Sequence, residues 1–565
     1  MKFLITTLNS KYVHTSLAVR CLYAVVKDGF DVVMDEYTIN DNINSVLASV
    51  YRHDADAVCV SCYIWNFGMV VSLCDSLKKA APSVKIILGG PEVTYTAQET
   101  LQKYSFADIV MMGEGEITIR ELFSALENGA PLDGINGIAY RDKTGEITVN
   151  AHREPVASLD ELPFVYDNSI DDLGSRIIYY ETSRGCPFSC TYCLSGEHGG
   201  VRYLSIDRIK HDIDFFIGHK IPLVKLVDRT FNANPKRAKA IFEYIISKAA
   251  DTRFHMELAG DLLDDETIDI LSRADEKTFQ FEIGVQTTNE KTMNEIHRNI
   301  KKDKLWNNIK KLLDLTKIHI HLDLIGGLPY EDIASFAGSF NDVMELRPHV
   351  LQIGFLKLLK GSYILQNAEK FHYKYTADAP YEIICNDFVS YDDILTLHGI
   401  DFVFDRYYNS GSFERTMDFM FDKYDNDYYK FFYDLSKYYE NNKLTKISLS
   451  KYELYDIMYN YCTSCGLDAT DCLKYDYMKN IKSHNLPHWC ADVMDKKFID
   501  CCHLVLKDEE FKKNHLPHYY GIPAKIAVKS VRFGRFSCGV LLFDSVSGAV
   551  LDVTNYFTEE EVFNG

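Results

Sequence analysis

Short apolar segments alternate with amphipathic stretches over the first 130 residues. Each apolar segment has the length of a buried strand, and each stretch between them has the periodicity of a helix that faces a core. The apolar segments are KFLITTL, DVVMDEY, DAVCVSCY, KIILGG and ADIVMMG. Five such repeats predict an open parallel sheet with helices on both faces, because parallel strands need crossover connections. We therefore expect residues 1–130 to form an α/β domain of the flavodoxin-like, Rossmann type.

A second series of strands and helices follows a turn-rich segment, 131–176, that predicts a hairpin and a linker. Its apolar strands are IIYYET, PLVKLVD, RFHMEL, TFQFEIGV, IHIHLDLI and VLQIGFLKLL. Six repeats predict a partial (β/α)6 TIM barrel over residues 177–362, with its active site at the carboxyl ends of the strands.

The remaining segment, 363–565, is rich in Tyr, Phe, Asp and Lys and is helical by pattern over most of its length. Its last part, IPAKIAVKSVRFG and CGVLLFDSVSGAVLDV, predicts antiparallel strands with a turn at Ser545 to Gly548. We expect a mixed α+β accessory domain.

Composition narrows the classes of function. No apolar run approaches the roughly 20 residues that span a bilayer, and the start, MKFLITTLNSKYVHTS, is typical of a buried strand rather than a signal peptide, so we expect a cytoplasmic protein without a membrane partner. The net charge of −20 argues against nucleic acid as a partner. A local basic groove for a tRNA is the alternative, but the lysines at 301, 302, 304, 310 and 311 favour one solvated helix face.

Three cysteines stand at C-x3-C-x2-C directly after the first barrel strand, in YYETSRGCPFSCTYCLSGEHGG. Thiolates are the ligands that iron–sulfur clusters require, and three of them leave one iron of a [4Fe-4S] cluster free for a small molecule. Cys186, Cys190 and Cys193 are therefore the predicted metal ligands. The alternatives are idle thiols or a structural zinc site, for which His198 is the local candidate for a fourth ligand.

This motif resembles that of the radical S-adenosylmethionine (SAM) superfamily. The resemblance implies that the open iron of the cluster chelates SAM and that a 5′-deoxyadenosyl radical is formed. In the subgroup that includes the oxygen-independent coproporphyrinogen oxidases and B12-associated enzymes, SAM contacts correspond to Glu257, Gln286, Arg298 and Asp323. Carboxylates suit ribose hydroxyls, and an arginine can hold the SAM carboxylate bidentately. Taken singly, each of these residues could equally form an ordinary salt bridge or core hydrogen bond.

The amino-terminal half resembles the cobalamin-binding domain of class B radical SAM enzymes. Loops at the predicted carboxyl ends of its strands would contact cobalamin through Asn9, Ser61, Gly89, Gly90, Gly113, Glu114 and Gly115. The D-x-H-x2-G signature is not met around His14, because Tyr12 and Leu17 occupy its Asp and Gly positions, so His14 is not assigned to cobalt. The alternative is a flavodoxin-like domain that binds nothing. Cys59, Cys62 and Cys74 are predicted to be buried core residues.

The carboxyl-terminal segment contains a second group of cysteines and histidines. They are Cys462, Cys465, Cys472, His488, Cys490, Cys501, Cys502 and His503. They could hold a second metal or simply pack in a helical core. This segment resembles an uncharacterised domain appended to B12-type radical SAM proteins.

Together the resemblances imply a cobalamin-dependent radical SAM enzyme that methylates an unactivated carbon of a small molecule. It would need a [4Fe-4S] cluster, SAM, cobalamin and an external one-electron donor such as flavodoxin or ferredoxin. One alternative is a rearrangement, oxidation or cyclisation without methyl transfer. Another, of a different class, is a noncatalytic protein that senses cobalamin or SAM.

Overall fold

The computed structural model describes residues 1–196, 200–248, 251–298, 300–483, 486–491, 495–559 and 561. The chain forms two compact units, Met1–Ile394 and Leu395–Gly565. Among the helices in these ranges, none has both the length and the apolar character needed to cross a bilayer.

A seven-stranded sheet begins the first unit. Its strands are β1 (Lys2–Asn9), β2 (Asp31–Thr38), β3 (Ala57–Ser61), β4 (Lys85–Gly89), β5 (Ile109–Met111), β6 (Ile138–Arg141) and β7 (Ile147–Val149), and its helices are α1 (Leu17–Val26), α2 (Ile43–Arg52), α3 (Phe67–Ala80), α4 (Pro91–Thr94), α5 (Ala97–Lys103) and α6 (Glu116–Asn128). The strand order is β2-β1-β3-β4-β5-β6-β7. The first five strands are parallel, and the β6–β7 hairpin adds to the edge in antiparallel fashion.

Both faces of this sheet are buried under helices. Val46 of α2 and Leu73 of α3 belong to the core on one face, whereas Val19 of α1 and Phe123 of α6 belong to the core on the other. Burial on two sides explains why the strands are continuous apolar runs. The predicted open parallel sheet is confirmed.

A six-stranded parallel sheet forms the second half of this unit. Its strands are β8 (Ile178–Tyr180), β11 (Leu223–Leu226), β12 (Arg253–Leu258), β13 (Phe279–Gln286), β14 (His319–Gly326) and β15 (Val350–Phe355), and its helices are α7 (Ile206–Gly218), α8 (Pro235–Lys248), α9 (Asp265–Ser272), α10 (Glu290–Glu295), α11 (Lys302–Leu315) and α12 (Ile333–Met344). The order β15-β14-β13-β12-β11-β8 follows the chain, as expected for a partial barrel. An antiparallel ribbon, β9 (Ser183–Cys186) and β10 (Gly200–Tyr203), was not expected from the sequence.

Alternation along the barrel strands separates an apolar face from a polar one. Phe279 and Phe281 of β13 pack against Phe242 of α8, so their face lies under the helices. The alternate residues Gln280 and Glu282 lie on the opposite face, the interior of the partial barrel. The first unit ends with α13 (Tyr363–Gln366), β16 (Lys374–Tyr375), β17 (Ile383–Cys385) and the start of α14 (Tyr391–Phe404).

The second unit is helical until its final strands. Its further elements are α15 (Glu414–Lys423), α16 (Tyr428–Asn441), α17 (Lys451–Ser464), α18 (Thr470–Asn480), α19 (Lys496–Lys507), α20 (Glu509–His515), α21 (Ala524–Ala527), β18 (Val531–Phe536), β19 (Gly539–Asp544) and β20 (Val550–Asp552). The three strands are antiparallel, as predicted. The prediction that a strand starts at Ile522 is wrong. Pro523 has no N–H for a ladder and begins the short helix α21 instead, so the strand starts at Val531.

Candidate active site

The three predicted metal ligands lie on the β9–β10 ribbon and the turn that follows β9. Cys186 is the last residue of β9, and Cys190 and Cys193 follow it. Gly185 has φ +101°, and a Cβ there would lie 2.4 Å from the carbonyl oxygen of Gly200. Only glycine allows the two strands to approach this closely just before Cys186.

Each thiol of this loop faces a different neighbour. Cys186 Sγ lies 3.5 Å from Thr230 Oγ1, Cys190 Sγ accepts a hydrogen bond from Arg298 Nη1 at 3.7 Å, and Cys193 Sγ accepts one from Ser195 N at 3.4 Å. Among the residues that the structure describes, no three His, Cys, Asp or Glu side chains gather around one ion position. A cubane binds each thiolate through a separate iron, whereas a structural zinc ion needs all its ligands around one position. His198, the candidate fourth zinc ligand, lies outside the described residues.

Three of the four predicted SAM residues meet around Gly284 of β13. Asp323 is the register partner of Gly284 on β14. A Cβ on Gly284 would lie 2.2 Å from Gln286 Nε2 and 3.3 Å from Arg298 Nη2. The fourth residue, Glu257 of β12, is paired in register with Glu282 of β13. The structure therefore brings together residues that are distant in sequence. Glu257 and Asp323, the most distant pair, are 66 positions apart.

These side chains carry buried polar atoms that have no hydrogen-bond partner among the residues that the structure describes. They are Asp323 Oδ1, Gln286 Oε1 and Arg298 Nε. Both terminal nitrogens of Arg298 are already engaged, one with the Gly284 carbonyl and the other with Cys190 Sγ and with Tyr192 Oη at 3.4 Å. Because unpartnered buried polar atoms are costly, this arrangement fits a polar ligand such as SAM beside the cysteine loop.

Electrostatic interactions inside the barrel give the buried carboxyl groups very different pKa values. Burial, together with the charges of Glu282 and Glu257, raises the pKa of Asp323 to about 7. Hydrogen bonding from His255 at 3.0 Å, aided by the charge of Lys225, lowers the pKa of Glu282 to about 2. Burial, with help from His319 and His255, lowers the pKa of His321 to about 4. The interior thus holds an ionised carboxylate next to a carboxyl group that titrates near neutrality.

A cavity of about 690 Å³ opens at the carboxyl ends of strands from both sheets. All seven predicted cobalamin residues line it, namely Asn9, Ser61, Gly89, Gly90, Gly113, Glu114 and Gly115. The barrel contributes Tyr179, Glu181, Arg184, Val227 and Arg229 to the same lining. The cavity therefore lies between the loops of the first sheet and the strand ends of the partial barrel, as the ligand site of an open α/β sheet should.

Two of the predicted cobalamin positions have clear local roles. Gly90 has φ +108°, and a Cβ there would lie 2.5 Å from the carbonyl oxygen of Cys62. The side chain of Asn9 donates to Glu36 Oε2 at 2.7 Å and to the His14 carbonyl at 3.2 Å. These contacts set the shape of the cavity wall rather than leave those groups free for a ligand.

A cluster of charges that was not predicted joins the two halves. Arg184 forms ion pairs with Glu114 at 3.2 Å, Glu116 at 2.7 Å and Glu181 at 2.8 Å, and Arg202 also binds Glu114. Burial alone would raise the pKa of Glu114, but the hydrogen bond from Arg202 and the charge of Arg184 outweigh it, and the pKa is lowered. The sequence signal was the pair of arginines that flank the cysteine motif.

His14 also lies at this cavity. Its Nδ1 is 2.6 Å from Tyr179 Oη, and burial lowers its pKa. The loop after β3 adds Tyr63 and Trp65, whose rings stack with centroids 4.3 Å apart. Cys59, Cys62 and Cys74 are buried, as predicted, and burial raises the pKa of each thiol.

The cysteines and histidines of the second unit are dispersed. Cys462 is buried in α17 with its Sγ 3.6 Å from Met420 Sδ, whereas Cys465 is exposed at the end of that helix. Cys490 and Cys502 are buried. Within the described part of this unit, these side chains do not assemble into a set of metal ligands.

Comparison with known proteins agrees with this geometry. Residues 4–123 match the B12 binding domain, residues 180–343 match the radical SAM superfamily, and residues 369–550 match a protein family of unknown function, DUF4080. The chain is 25% identical over 325 residues to the cobalamin-dependent radical SAM methyltransferase TokK of Streptomyces tokunonensis, covering 54% of this chain and 47% of TokK. It is 28% identical over 233 residues to the uncharacterized methyltransferase PH0819 of Pyrococcus horikoshii, covering 39% of this chain and 50% of PH0819.

The chain thus spans about half the length of these curated relatives. Among solved structures, the cobalamin-dependent SAM radical enzyme OxsB, with aqua-cobalamin and SAM bound, superimposes with a TM-score of 0.60 at 14% identity, over 84% of this chain and 78% of OxsB. At this identity the similarity shows the fold. The chain thus carries, in succession, a B12 binding domain, a domain of the radical SAM superfamily and a DUF4080 domain.

Proposed function

We propose that this protein is an enzyme that methylates an unactivated carbon of a small molecule, using a [4Fe-4S] cluster, SAM and cobalamin. The observation that supports this most directly is the cavity, whose lining combines all seven predicted cobalamin residues with the strand ends of the barrel. A substrate placed there would lie between the two halves. The name of TokK, a cobalamin-dependent radical SAM methyltransferase, supports methyl transfer over the other reactions.

Each group of predicted site residues would bind a different cofactor. Cys186, Cys190 and Cys193 would bind the cluster, and Arg298, which donates to Cys190 Sγ, would connect the cluster loop to the SAM residues. Gln286 and Asp323 would direct their unpartnered oxygens to the polar groups of SAM. When bound, the reduced cluster and SAM are a source of the 5′-deoxyadenosyl radical, and cobalamin is a carrier of a methyl group. An external flavodoxin or ferredoxin would supply single electrons.

The first test uses anaerobically purified protein, which should contain iron, sulfide and a corrinoid. With SAM and dithionite it should release 5′-deoxyadenosine and methionine. A triple C186A/C190A/C193A variant should lose both the iron and this activity, whereas C465A, which removes an exposed cysteine of the second unit, should retain them. Wild-type protein without iron and sulfide, or a triple variant that keeps its cluster, would contradict the proposal.

Methyl transfer needs a separate measurement that does not depend on a known substrate. SAM with a deuterated methyl group should label the bound corrinoid and yield S-adenosylhomocysteine. Formation of 5′-deoxyadenosine without any labelled corrinoid would instead favour rearrangement, oxidation or cyclisation. Tight binding of SAM and corrinoid with neither product would favour the noncatalytic sensor.

A further inference from the structure

Arg229 follows β11 and lines the cavity at which the strand ends of both sheets meet. We propose that its guanidinium binds an oxyanion of the substrate, a carboxylate or a phosphate, so that the substrate is an anionic small molecule. This inference rests on the proposed function, because it takes the cavity to be the substrate site.

The position of Arg229 is defined by its neighbours. It lines the cavity of about 690 Å³ and also an adjoining cavity of about 530 Å³ beside the cysteine loop. The next residue, Thr230, contacts Cys186 Sγ. Burial raises the pKa of both Tyr63 and Glu257, and the nearby charge of Arg229 opposes both shifts. Arg229 therefore lies close to the loop after β3 on one side and to the end of β12 on the other.

The guanidinium of Arg229 has no direct partner within the described ranges. It forms no ion pair or hydrogen bond there, and its side chain is exposed to the cavity. The neighbouring cation, Arg184, is already held by three glutamates. The adjacent acid, Asp228, is only 1% exposed and accepts hydrogen bonds from the Thr182 amide at 2.9 Å and from the Thr182 and Ser183 hydroxyls at 2.5 Å each.

The chemistry of an unpaired arginine in such a place is specific. A guanidinium binds carboxylates and phosphates through two parallel hydrogen bonds, which fix the orientation of the bound anion. The predicted SAM residues surround Gly284, and the glycine loops of the first sheet surround Gly90. The substrate must lie between these two groups of residues, and Arg229 is placed there as well. The geometry therefore favours the substrate over either cofactor as the ligand of Arg229.

Phenylglyoxal labelling of the anaerobic holoenzyme tests this without a known substrate, because the reagent modifies arginines that are not paired. Peptide mass spectrometry should show that inorganic phosphate or acetate slows labelling of Arg229 by about threefold or more. Acetamide, or NaCl at equal ionic strength, should not. Arg120, which is exposed on α6 and does not line the cavity, is the control and should not be protected. Equal labelling of Arg229 with and without the oxyanions would overturn the proposal.

The R229Q and R229K variants distinguish a role of Arg229 in binding the substrate from a role in binding a cofactor. Corrinoid content and the SAM dissociation constant should stay within about twofold of wild type in both variants. A loss of either in R229Q would assign Arg229 to that cofactor and overturn the proposal. Oxyanion protection in a protein that forms no 5′-deoxyadenosine would leave the anion site standing and would refute the enzymatic function alone.

Discussion

Glu331 is a buried acid that ties together the loops after β13 and β14. It is 1% exposed, and its Oε1 accepts hydrogen bonds from Thr287 Oγ1 at 2.6 Å and Ser339 Oγ at 2.9 Å. Its other oxygen is buried and has no hydrogen-bond partner in the described part of the chain. Thr287 directly follows Gln286, which has a left-handed backbone with φ +72°. Glu331 therefore supports an unusual backbone conformation at one of the predicted SAM residues.

Burial raises the pKa of Glu331 from 4.5 to about 7, despite the hydrogen bonds from Thr287 and Ser339. Between these values the folded protein binds a proton that the unfolded chain does not, so this group makes stability fall as the pH rises. E331Q removes the effect. The melting temperature of E331Q relative to wild type should therefore increase from about pH 5 to about pH 8, by an amount that corresponds to about 1–3 kcal/mol.

Calorimetry across this pH range measures that difference. E290Q, which removes an exposed charge at the start of the neighbouring helix α10, is the control. A melting-temperature difference for E331Q that is the same at both ends of the range would show that Glu331 is ionised throughout.

At the scale of elements, the β9–β10 ribbon presents the cysteine loop, and Gly185 sets its geometry. G185A would place a methyl group against the Gly200 carbonyl at a left-handed position, where strain of about 1–3 kcal/mol is typical. We expect the variant to take up several-fold less iron on anaerobic reconstitution. G218A is the control, because nothing lies within 4 Å of a Cβ at that helix end. Iron content equal to wild type in G185A would show that the ribbon does not position the thiols.

The ribbon also shows where prediction from sequence stops. The parallel strands were predictable because each is a continuous apolar run flanked by helical periodicity. SRGC and GVRY are four-residue strands without an apolar run, and their pairing depends on the close approach of Gly185 to the Gly200 carbonyl across the loop. The error at Ile522 is the opposite case, because the apolar residues around Pro523 resemble a strand until the missing N–H of the proline is considered.

The candidate site was predictable to a different degree. Cys186, Cys190 and Cys193 stand in one short motif, and the glycine loops follow directly from the ends of parallel strands. Arg229 also follows a strand end, but its proposed role as an anion-binding residue depends on Arg184 and Asp228 being engaged elsewhere, which only the structure shows. Glu331 gave no local signal, because its partners come from residues 44 and 8 positions away.

At the scale of the whole molecule, the first compact unit contains both sheets, the cysteine loop and the cavity. A fragment of residues 1–394, the whole of this unit, should therefore fold without the second unit. We expect it to bind corrinoid and iron in the same ratio as the full chain, which is the control, and to melt in a cooperative transition. An aggregated fragment, or one without corrinoid, would show that the second unit is needed for folding of the first.

The ion pairs of Arg184 also matter at this scale. Arg184 is two residues before Cys186, while Glu114 and Glu116 belong to the loop and helix that follow β5. A single guanidinium thus links the proposed corrinoid site to the proposed cluster site. Assembly of the holoprotein would then be cooperative, because structural ordering of one half would also order the other.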